Sequence, residues 1–327
     1  MRWDSRLRAV LALLAALVLA LGVAACGDDD DDGGDGGGGD AANLIESNPD
    51  NSGVQLTVGS KNFTEQLILG EIYAQALEAA GYNVNTDLNL GSEQVALQAL
   101  EAGEISGYPE YTSTALTSFF GLAPEDVPND PAQATEESQA EFDKRGLVTF
   151  APAPFDSANA VGLLKETADQ LGVSTVSDLE GKSQDLALFG SPECRQRVDC
   201  LVGLEDGYGL KFKSFTPVDI EQRYPVLDSG QADLSILFTT DPQLSSQADK
   251  YVILEDDQGV FPAGNPVFVA TQAAVDQAGP DLQETVEKVQ EGLTLEVMQE
   301  LNARVDLDRE EPAAVATQYL QEEGYIE

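Results

Sequence analysis

Two aromatic residues stand at equivalent places in the two halves of this chain. Tyr111 lies eight residues after Gly103, Phe238 lies eight residues after Gly230, and a threonine follows each ring. Aromatic faces attract cations, although such rings also pack in protein cores. Lys61 is a further candidate binding residue. It stands at the predicted start of a helix, where the helix dipole disfavours a positive charge, so a functional role would explain its presence there.

Histidine is absent from all 327 residues. This excludes histidine-based catalytic triads, the usual histidine general base and most zinc or iron sites. The sequence shows neither a cluster of metal ligands nor a paired nucleophile and base. We therefore predict that the protein is not an enzyme, has no catalytic residues, holds no metal ion and needs no cofactor.

The composition is strongly acidic. Asp and Glu number 58 against 17 Lys and Arg, which gives a formal net charge of −41. Such a surface repels phosphate groups, so nucleic acid and anionic lipid are excluded as partners.

The first 26 residues have the pattern of an export signal. Three arginines precede an apolar run over residues 9–21, which is too short for a membrane-spanning helix. The run ends in Val-Ala-Ala-Cys, which resembles a bacterial lipobox. We predict a lipoprotein signal peptide over residues 1–25 and a lipid on Cys26. The alternative is an ordinary secretory signal in which Cys26 is incidental.

Residues 26–42 are predicted to form an acidic tether. Residues 27–40 contain only Gly and Asp, so they cannot bury apolar surface and stay solvated. The folded part would then be held at the outer face of the cell membrane. In that oxidising compartment we predict a disulfide between Cys194 and Cys200.

Alternating strand and helix patterns predict an α/β sheet in the first half of the chain. Residues 54–59 alternate like a strand, and Asn62 with Glu65 has the spacing of a capping box that opens a helix. Further strands over 85–90 and 105–108 each follow a helix. This order predicts a parallel-type sheet with flanking helices.

The same order recurs downstream and predicts a second lobe. Residues 185–191 repeat a strand that ends in Gly-Ser, and the chain could cross between lobes at 151–156 and 255–259. Ligands of open α/β sheets bind at the edge where the strands end, so the cleft between two such edges is the expected site. The predicted division assigns 43–155 and 258–327 to the first lobe and 156–257 to the second.

Several segments, taken in order, resemble the substrate-binding proteins of osmoprotectant ABC importers, which carry glycine betaine, choline, carnitine and related solutes. The segments are Val58 to Gln66, Tyr108 to Thr112, Asp206 to Leu210, Leu227 to Gly230, Phe238 to Asp241 and Asp256-Asp257. They extend over nearly the whole mature domain.

The resemblance implies a two-lobed type II periplasmic-binding-protein fold and a set of ligand contacts. By position, Lys61 and Arg197 match the pair that takes the solute carboxylate, with Arg supplying two parallel donors. Tyr111 and Phe238 match two walls of an aromatic box around a quaternary ammonium, and Thr114 matches a polar neighbour of the ligand.

Two positions depart from the family pattern. Where the family has two further box tyrosines, this chain has Asn159 and Gly264, with Asn265 available to fill the space. Each aromatic face contributes about 0.5–2 kcal/mol to holding a cation. Either a betaine binds more weakly here, or Asn159 and Asn265 hydrogen-bond a more polar solute.

The resemblance implies an extracytoplasmic solute-binding protein, acting as a monomer with an ABC permease and ATPase. It would capture glycine betaine or a related zwitterionic osmoprotectant. An alternative keeps the scaffold and changes the solute to a polar amino acid or another small zwitterion. A tethered sensor that presents the solute to a receptor, and a secreted enzyme on the same fold, are the remaining alternatives.

Overall fold

The strands within residues 43–327, which are the residues that the computed structural model describes, form two five-stranded mixed sheets. The predicted signal peptide, the lipid on Cys26 and the tether lie outside these described residues. No helix in residues 43–327 is long and apolar enough to cross a membrane.

The first sheet combines three parallel strands with a strand that returns from late in the sequence. Its order is β2-β1-β3-β10-β4, with β1 parallel to β2 and β3, and β10 antiparallel to β3 and β4. The strands are β1 (Gln55–Gly59), β2 (Asn83–Asp87), β3 (Gly107–Tyr111), β4 (Leu147–Thr149) and β10 (Pro266–Thr271).

The second sheet repeats this arrangement. Its order is β7-β6-β8-β5-β9, with β6 parallel to β7 and β8, and β5 antiparallel to β8 and β9. The strands are β5 (Asn159–Leu164), β6 (Ala187–Gly190), β7 (Ser214–Pro217), β8 (Leu234–Phe238) and β9 (Tyr251–Ile253). The two-lobed α/β prediction is confirmed, and the antiparallel strand inside each sheet is the part that the sequence pattern did not reveal.

Helices flank both sheets. They are α1 (Thr64–Ala79), α2 (Glu93–Glu101), α3 (Thr112–Thr114), α4 (Pro131–Phe142), α5 (Lys165–Leu171), α6 (Leu201–Asp206), α7 (Arg223–Asp228), α8 (Gln243–Ser246), α9 (Gln272–Ala278), α10 (Pro280–Gln290), α11 (Leu295–Asp306) and α12 (Pro312–Glu322). A π-helical turn, Ala115–Phe119, continues α3. Residues 280–306 form two successive helices, α10 and α11.

Helix α1 is the centre of the first core, because α10, α11 and α12 all pack on it. Its Tyr73 is fully buried, meets the ring of Phe268 edge-on at 5.2 Å and accepts a hydrogen bond from Gln290 at 2.9 Å. The predicted capping box at its start is wrong. The helix begins after Phe63, no side chain caps it, and Glu65 is buried in other hydrogen bonds.

The two lobes are joined by a short antiparallel ribbon. Ser157 and Gly264 exchange both backbone hydrogen bonds at 3.0 Å, and the N–H of Ala153 donates to the carbonyl of Pro266 at 2.8 Å. Val260 and Phe261 still pack in the core of the second lobe. The second crossing therefore lies at 262–265 instead of 255–259, and these contacts favour a lobe boundary a few residues after the predicted residue 258.

Gly264 in this ribbon has no room for a side chain. A Cβ there would lie 2.2 Å from the Oγ and 2.6 Å from the N of Ser113. We expect Gly264→Ala to lower the free energy of unfolding by about 1–3 kcal/mol, since the added Cβ forces the ribbon away from the backbone of Ser113 in α3. Urea denaturation measures this.

The matched control is Gly53→Ala, because a Cβ at Gly53 meets no atom within 4 Å. Its effect should stay within about 0.5 kcal/mol. Equal stability of Gly264→Ala and wild type would contradict the proposed tight packing of the ribbon.

Candidate functional site

A cavity lies between the two sheets and is lined by residues of both lobes. Six of the seven predicted ligand contacts line it: Lys61, Tyr111, Thr114, Asn159, Arg197 and Phe238. Asn265 does not line it. The topology explains the convergence, because these residues lie at or just beyond strand ends along the edges of the two sheets that face each other.

Lys61, which follows β1, is buried against a carboxylate. Its Nζ forms an ion pair with Oε1 of Glu110, whose side chain is fully buried. Glu110 also accepts a hydrogen bond from the hydroxyl of Tyr108 at 3.0 Å. The Nζ lies 4.6 Å from the centroid of the Tyr111 ring. A buried charge needs such a partner, so Glu110 is what allows Lys61 to stand in the cleft.

Arg197 is held by carboxylates from both lobes. Its Nε donates to Oδ1 of Asp199 at 2.8 Å, its Nη2 also bonds Asp199, and its Nη1 lies 3.7 Å from Oε2 of Glu93. Nη2 further donates to Oγ1 of Thr114 at 3.4 Å. Arg197 thus spans the cleft from the second lobe to α2 and α3 of the first.

The loop that carries Arg197 is closed by a disulfide between Cys194 and Cys200, whose Cα atoms are 5.2 Å apart. This confirms the predicted bridge.

Burial raises the pKa of Glu93, an effect that the charge of Arg197 opposes. Glu93 and Asp199 are acidic wall residues that the sequence interpretation missed, because no motif marks them.

Phe63 adds a third ring that the sequence interpretation missed. Its centroid lies 6.2 Å from that of Tyr111 and 5.2 Å from that of Phe238, so it links the two predicted rings across the cleft. Phe63 lies inside the motif that carried the resemblance, so its position next to Lys61 was the available signal.

Arg223, at the start of α7, was also missed. Its guanidinium carbon lies 4.0 Å from the centroid of Phe238, and its Nη2 donates to Oδ1 of Asp241 at 2.9 Å. Arg223 lines the cavity although it is 6% exposed. A single arginine in a helix without a motif gives no sequence signal.

The two departures from the aromatic box have different structural settings. Asn159, at the start of β5, lines the cavity and donates through Nδ2 to the carbonyl of Asp199 at 3.0 Å. Gly264 has no space for a tyrosine. The amide of Asn265 donates to the carbonyls of Ala153 at 3.1 Å and Phe155 at 2.7 Å. Asn265 thus supports the first crossing and does not fill the space left in the box.

No group of three or more potential metal-ligating side chains is found within the described range 43–327. The cavity wall instead contains three cations, Lys61, Arg197 and Arg223, each paired with a carboxylate. It also presents the three aromatic rings described above. This set of groups can bind a carboxylate and an organic cation in one small molecule.

Comparison with known proteins identifies the family. The model of the substrate-binding domain of the ABC-type glycine betaine transport system matches residues 54–322. The chain is 32% identical over 286 residues to a glycine-betaine-binding protein of Pseudomonas aeruginosa, covering 83% of this chain and 89% of that protein. This chain therefore belongs to the family of substrate-binding domains of ABC-type glycine betaine transport systems.

Two further similarities agree with this assignment. The chain is 28% identical over 283 residues to an ergothioneine transport permease/ergothioneine binding protein of Helicobacter pylori, covering 86% of this chain and 49% of that protein. A crystal structure of a glycine betaine/carnitine/choline ABC transporter protein matches 83% of this chain and all (100%) of its own, with 27% identity and a TM-score of 0.65. The type II periplasmic-binding-protein fold, an extracytoplasmic place of action and a transport function follow from the family.

Glu65 ties the site to the helices behind it. Its carboxylate accepts from the hydroxyl of Tyr111 at 2.6 Å and from the amide of Asn302 at 3.0 Å. Asn302 also donates to the carbonyl of Thr240 in the second lobe at 3.2 Å. Burial raises the pKa of Glu65 above 4.5, although these hydrogen bonds oppose the rise.

The raised pKa of Glu65 sets the sign of a pH effect on stability. The folded state binds the proton more tightly than the unfolded state, so the contribution of Glu65 falls as pH rises from 4.5 through the folded pKa. Relative to Glu65→Gln, wild type should therefore lose stability as pH rises above 4.5. Urea midpoints measured at increasing pH test this.

Glu136→Gln serves as the control, since Glu136 is exposed on α4. Its free energy of unfolding should stay within about 0.5 kcal/mol of wild type. If the urea midpoints of wild type and Glu65→Gln change with pH in the same way, the burial of Glu65 has no titration effect on stability.

Proposed function

We propose that the cavity binds glycine betaine or a related zwitterionic osmoprotectant. The proposal rests on one observation. Lys61 and Arg197 line the same cavity between the two lobes as three aromatic rings, those of Tyr111, Phe63 and Phe238. A zwitterion fits this set better than a simple cation or anion, because it satisfies the cations and the rings together.

Arg197 is proposed to take the solute carboxylate as an additional partner. Its guanidinium is neutralised by Asp199, with Oε2 of Glu93 at 3.7 Å. A solute carboxylate would share these N–H groups and accept from Thr114, while Lys61 stays paired with Glu110. Binding would then add a third acid to a guanidinium that already bridges the two lobes, and this contact favours the closed cleft.

The alternative solute class is a polar amino acid or another small zwitterion. Asn159 supports it, because an amide lines the cavity where a box tyrosine is expected. The carboxylates of Glu93 and Asp199 on the same wall would also accept the N–H groups of a primary ammonium. A quaternary ammonium has no such donors, so the two classes differ in how they would use this wall.

Delivery is proposed to proceed to an ABC permease driven by its ATPase, with the protein acting as a monomer and as a binding protein without catalysis. The family assignment supports these partners. The basic start, apolar run and Val-Ala-Ala-Cys sequence support a cleaved signal peptide and a lipid anchor on Cys26. The Gly/Asp segment would let the binding protein reach the permease while it remains attached.

Isothermal titration with glycine betaine tests the binding site. Arg197→Ala should weaken binding by about 2–4 kcal/mol, because the desolvated carboxylate loses a charge-assisted, two-point contact. Tyr111→Ala should cost about 1–2 kcal/mol for a quaternary ammonium. Asn159→Tyr should tighten a betaine, since it restores a ring to the box, and should weaken a polar amino acid.

Arg195→Ala is the control, since Arg195 lies in the same disulfide loop but is exposed and outside the cavity. It should leave the affinity unchanged. The betaine assignment is wrong if wild type gives no heat at millimolar betaine and Asn159→Tyr gains none. Titration of the same proteins with polar amino acids then tests the alternative.

The lipid anchor is tested on protein extracted from membranes of expressing cells. We expect mass spectrometry to find an N-terminal peptide that begins at Cys26 and carries a diacylglycerol. In Cys26→Ser the diacylglycerol should be absent, because serine has no thiol to form the thioether. A wild-type product that is soluble and begins beyond residue 26 would rule out the anchor.

A further inference from the structure

The side chain of Arg223 leaves one of its nitrogens unused. Its Nε donates to the carbonyl of Ile220 at 2.8 Å and its Nη2 donates to Asp241 at 2.9 Å. Its Nη1 is buried and has no hydrogen-bond partner. Among the buried side-chain atoms without a partner in residues 43–327, it is the one that belongs to a charged group.

Buried polar groups are nearly always paired, so an unpaired guanidinium N–H calls for an explanation. The neighbouring acid does not supply the missing acceptor. Asp241 accepts from Nη2, from the hydroxyl of Tyr224 at 3.0 Å and from the backbone N–H of Phe238 at 2.9 Å. Arg223 lines the solute cavity and also a second cavity that Asp306 lines, and no protein acceptor from either lies within hydrogen-bond distance of Nη1. In the solute cavity the missing acceptor would come from the solute.

The other two cations of the cavity wall differ from Arg223 in this respect. Lys61 is paired with Glu110, and Arg197 is paired with Asp199. A solute carboxylate that binds these two must share them with acids of the protein. Arg223 offers an N–H for which the protein provides no competing acceptor.

Arg223 also limits where a solute cation can lie. Its guanidinium occupies a face of Phe238, with the carbon 4.0 Å from the ring centroid. A second cation on that face would meet a like charge in a place of low dielectric constant. The solute group next to Arg223 is therefore an acceptor, and the solute cation takes the rings of Phe63 and Tyr111 or the other face of Phe238.

On the basis of the proposed function, we propose that Arg223 is a further solute-binding residue that selects among betaines. Its Nη1 donates a hydrogen bond to an acceptor that the solute carries in addition to its carboxylate, such as a hydroxyl or a thione. The preferred solute is then a betaine larger and more polar than glycine betaine.

Two matched pairs of solutes test this by isothermal titration. Carnitine differs from γ-butyrobetaine only by a hydroxyl, and ergothioneine differs from histidine betaine only by a thione sulfur. Wild type should prefer the acceptor-bearing member of at least one pair by about 10-fold, the effect of one charge-assisted hydrogen bond. Arg223→Met should abolish that preference, so that the two members of the pair bind with equal affinity.

The control is Arg195→Met, because Arg195 also lies over a ring, 5.4 Å from the centroid of Phe215, but does not line the cavity. It should retain the wild-type preference. Arg223→Lys provides a second variant that keeps the charge beside Asp241. It should lose the preference as well, since one ammonium engaged by Asp241 cannot also reach the solute.

The outcomes separate this inference from the proposed function. If wild type binds none of these betaines, the proposed function fails. If wild type binds them without a preference in either pair, or if Arg223→Met keeps the preference, the role of Arg223 is refuted. Equal weakening of both members of a pair by Arg223→Met would also refute it, because that result marks a purely structural residue.

Discussion

Pairing of buried charges is the constraint on which the cleft depends. Lys61, Arg197 and Arg223 each stand on the cavity wall, and each is bound to a carboxylate: Glu110, Asp199 and Asp241. Without these acids three cations could not remain desolvated between the lobes. The acids in turn come from the strand ends and loops that build the cleft.

Much of this arrangement follows from the sequence, and the reasons are physical. The alternation of strands and helices fixes the parallel parts of both sheets, because crossover helices leave few other topologies. Lys61, Tyr111, Thr114, Asn159, Arg197 and Phe238 could be brought to one place because strand ends collect at one edge. The antiparallel strands β5 and β10 could not be foreseen, since a buried strand has the same pattern in either direction.

The parts that sequence reasoning missed depend on contacts between distant segments. Asn265 follows the glycine at the crossing, and its amide satisfies two carbonyls of the other crossing strand. That role depends on where two chain segments meet, and no local pattern encodes it. Glu65 has the spacing of a capping residue, but its carboxylate is drawn to Tyr111 and Asn302 instead. Tertiary hydrogen bonds outweigh a local cap when the side chain is fully buried.

The position of β10 has a consequence for the order in which the chain folds. β10 (266–271) lies between β3 and β4, which make no ladder with each other, so the first sheet is incomplete until the last quarter of the chain is available. The second sheet uses one continuous stretch of sequence, from β5 to β9. When the chain folds, this stretch can form its core first, whereas the first lobe waits for a contact of long sequence separation. Slow closure of the first sheet would then set the rate at which binding-competent protein appears outside the membrane.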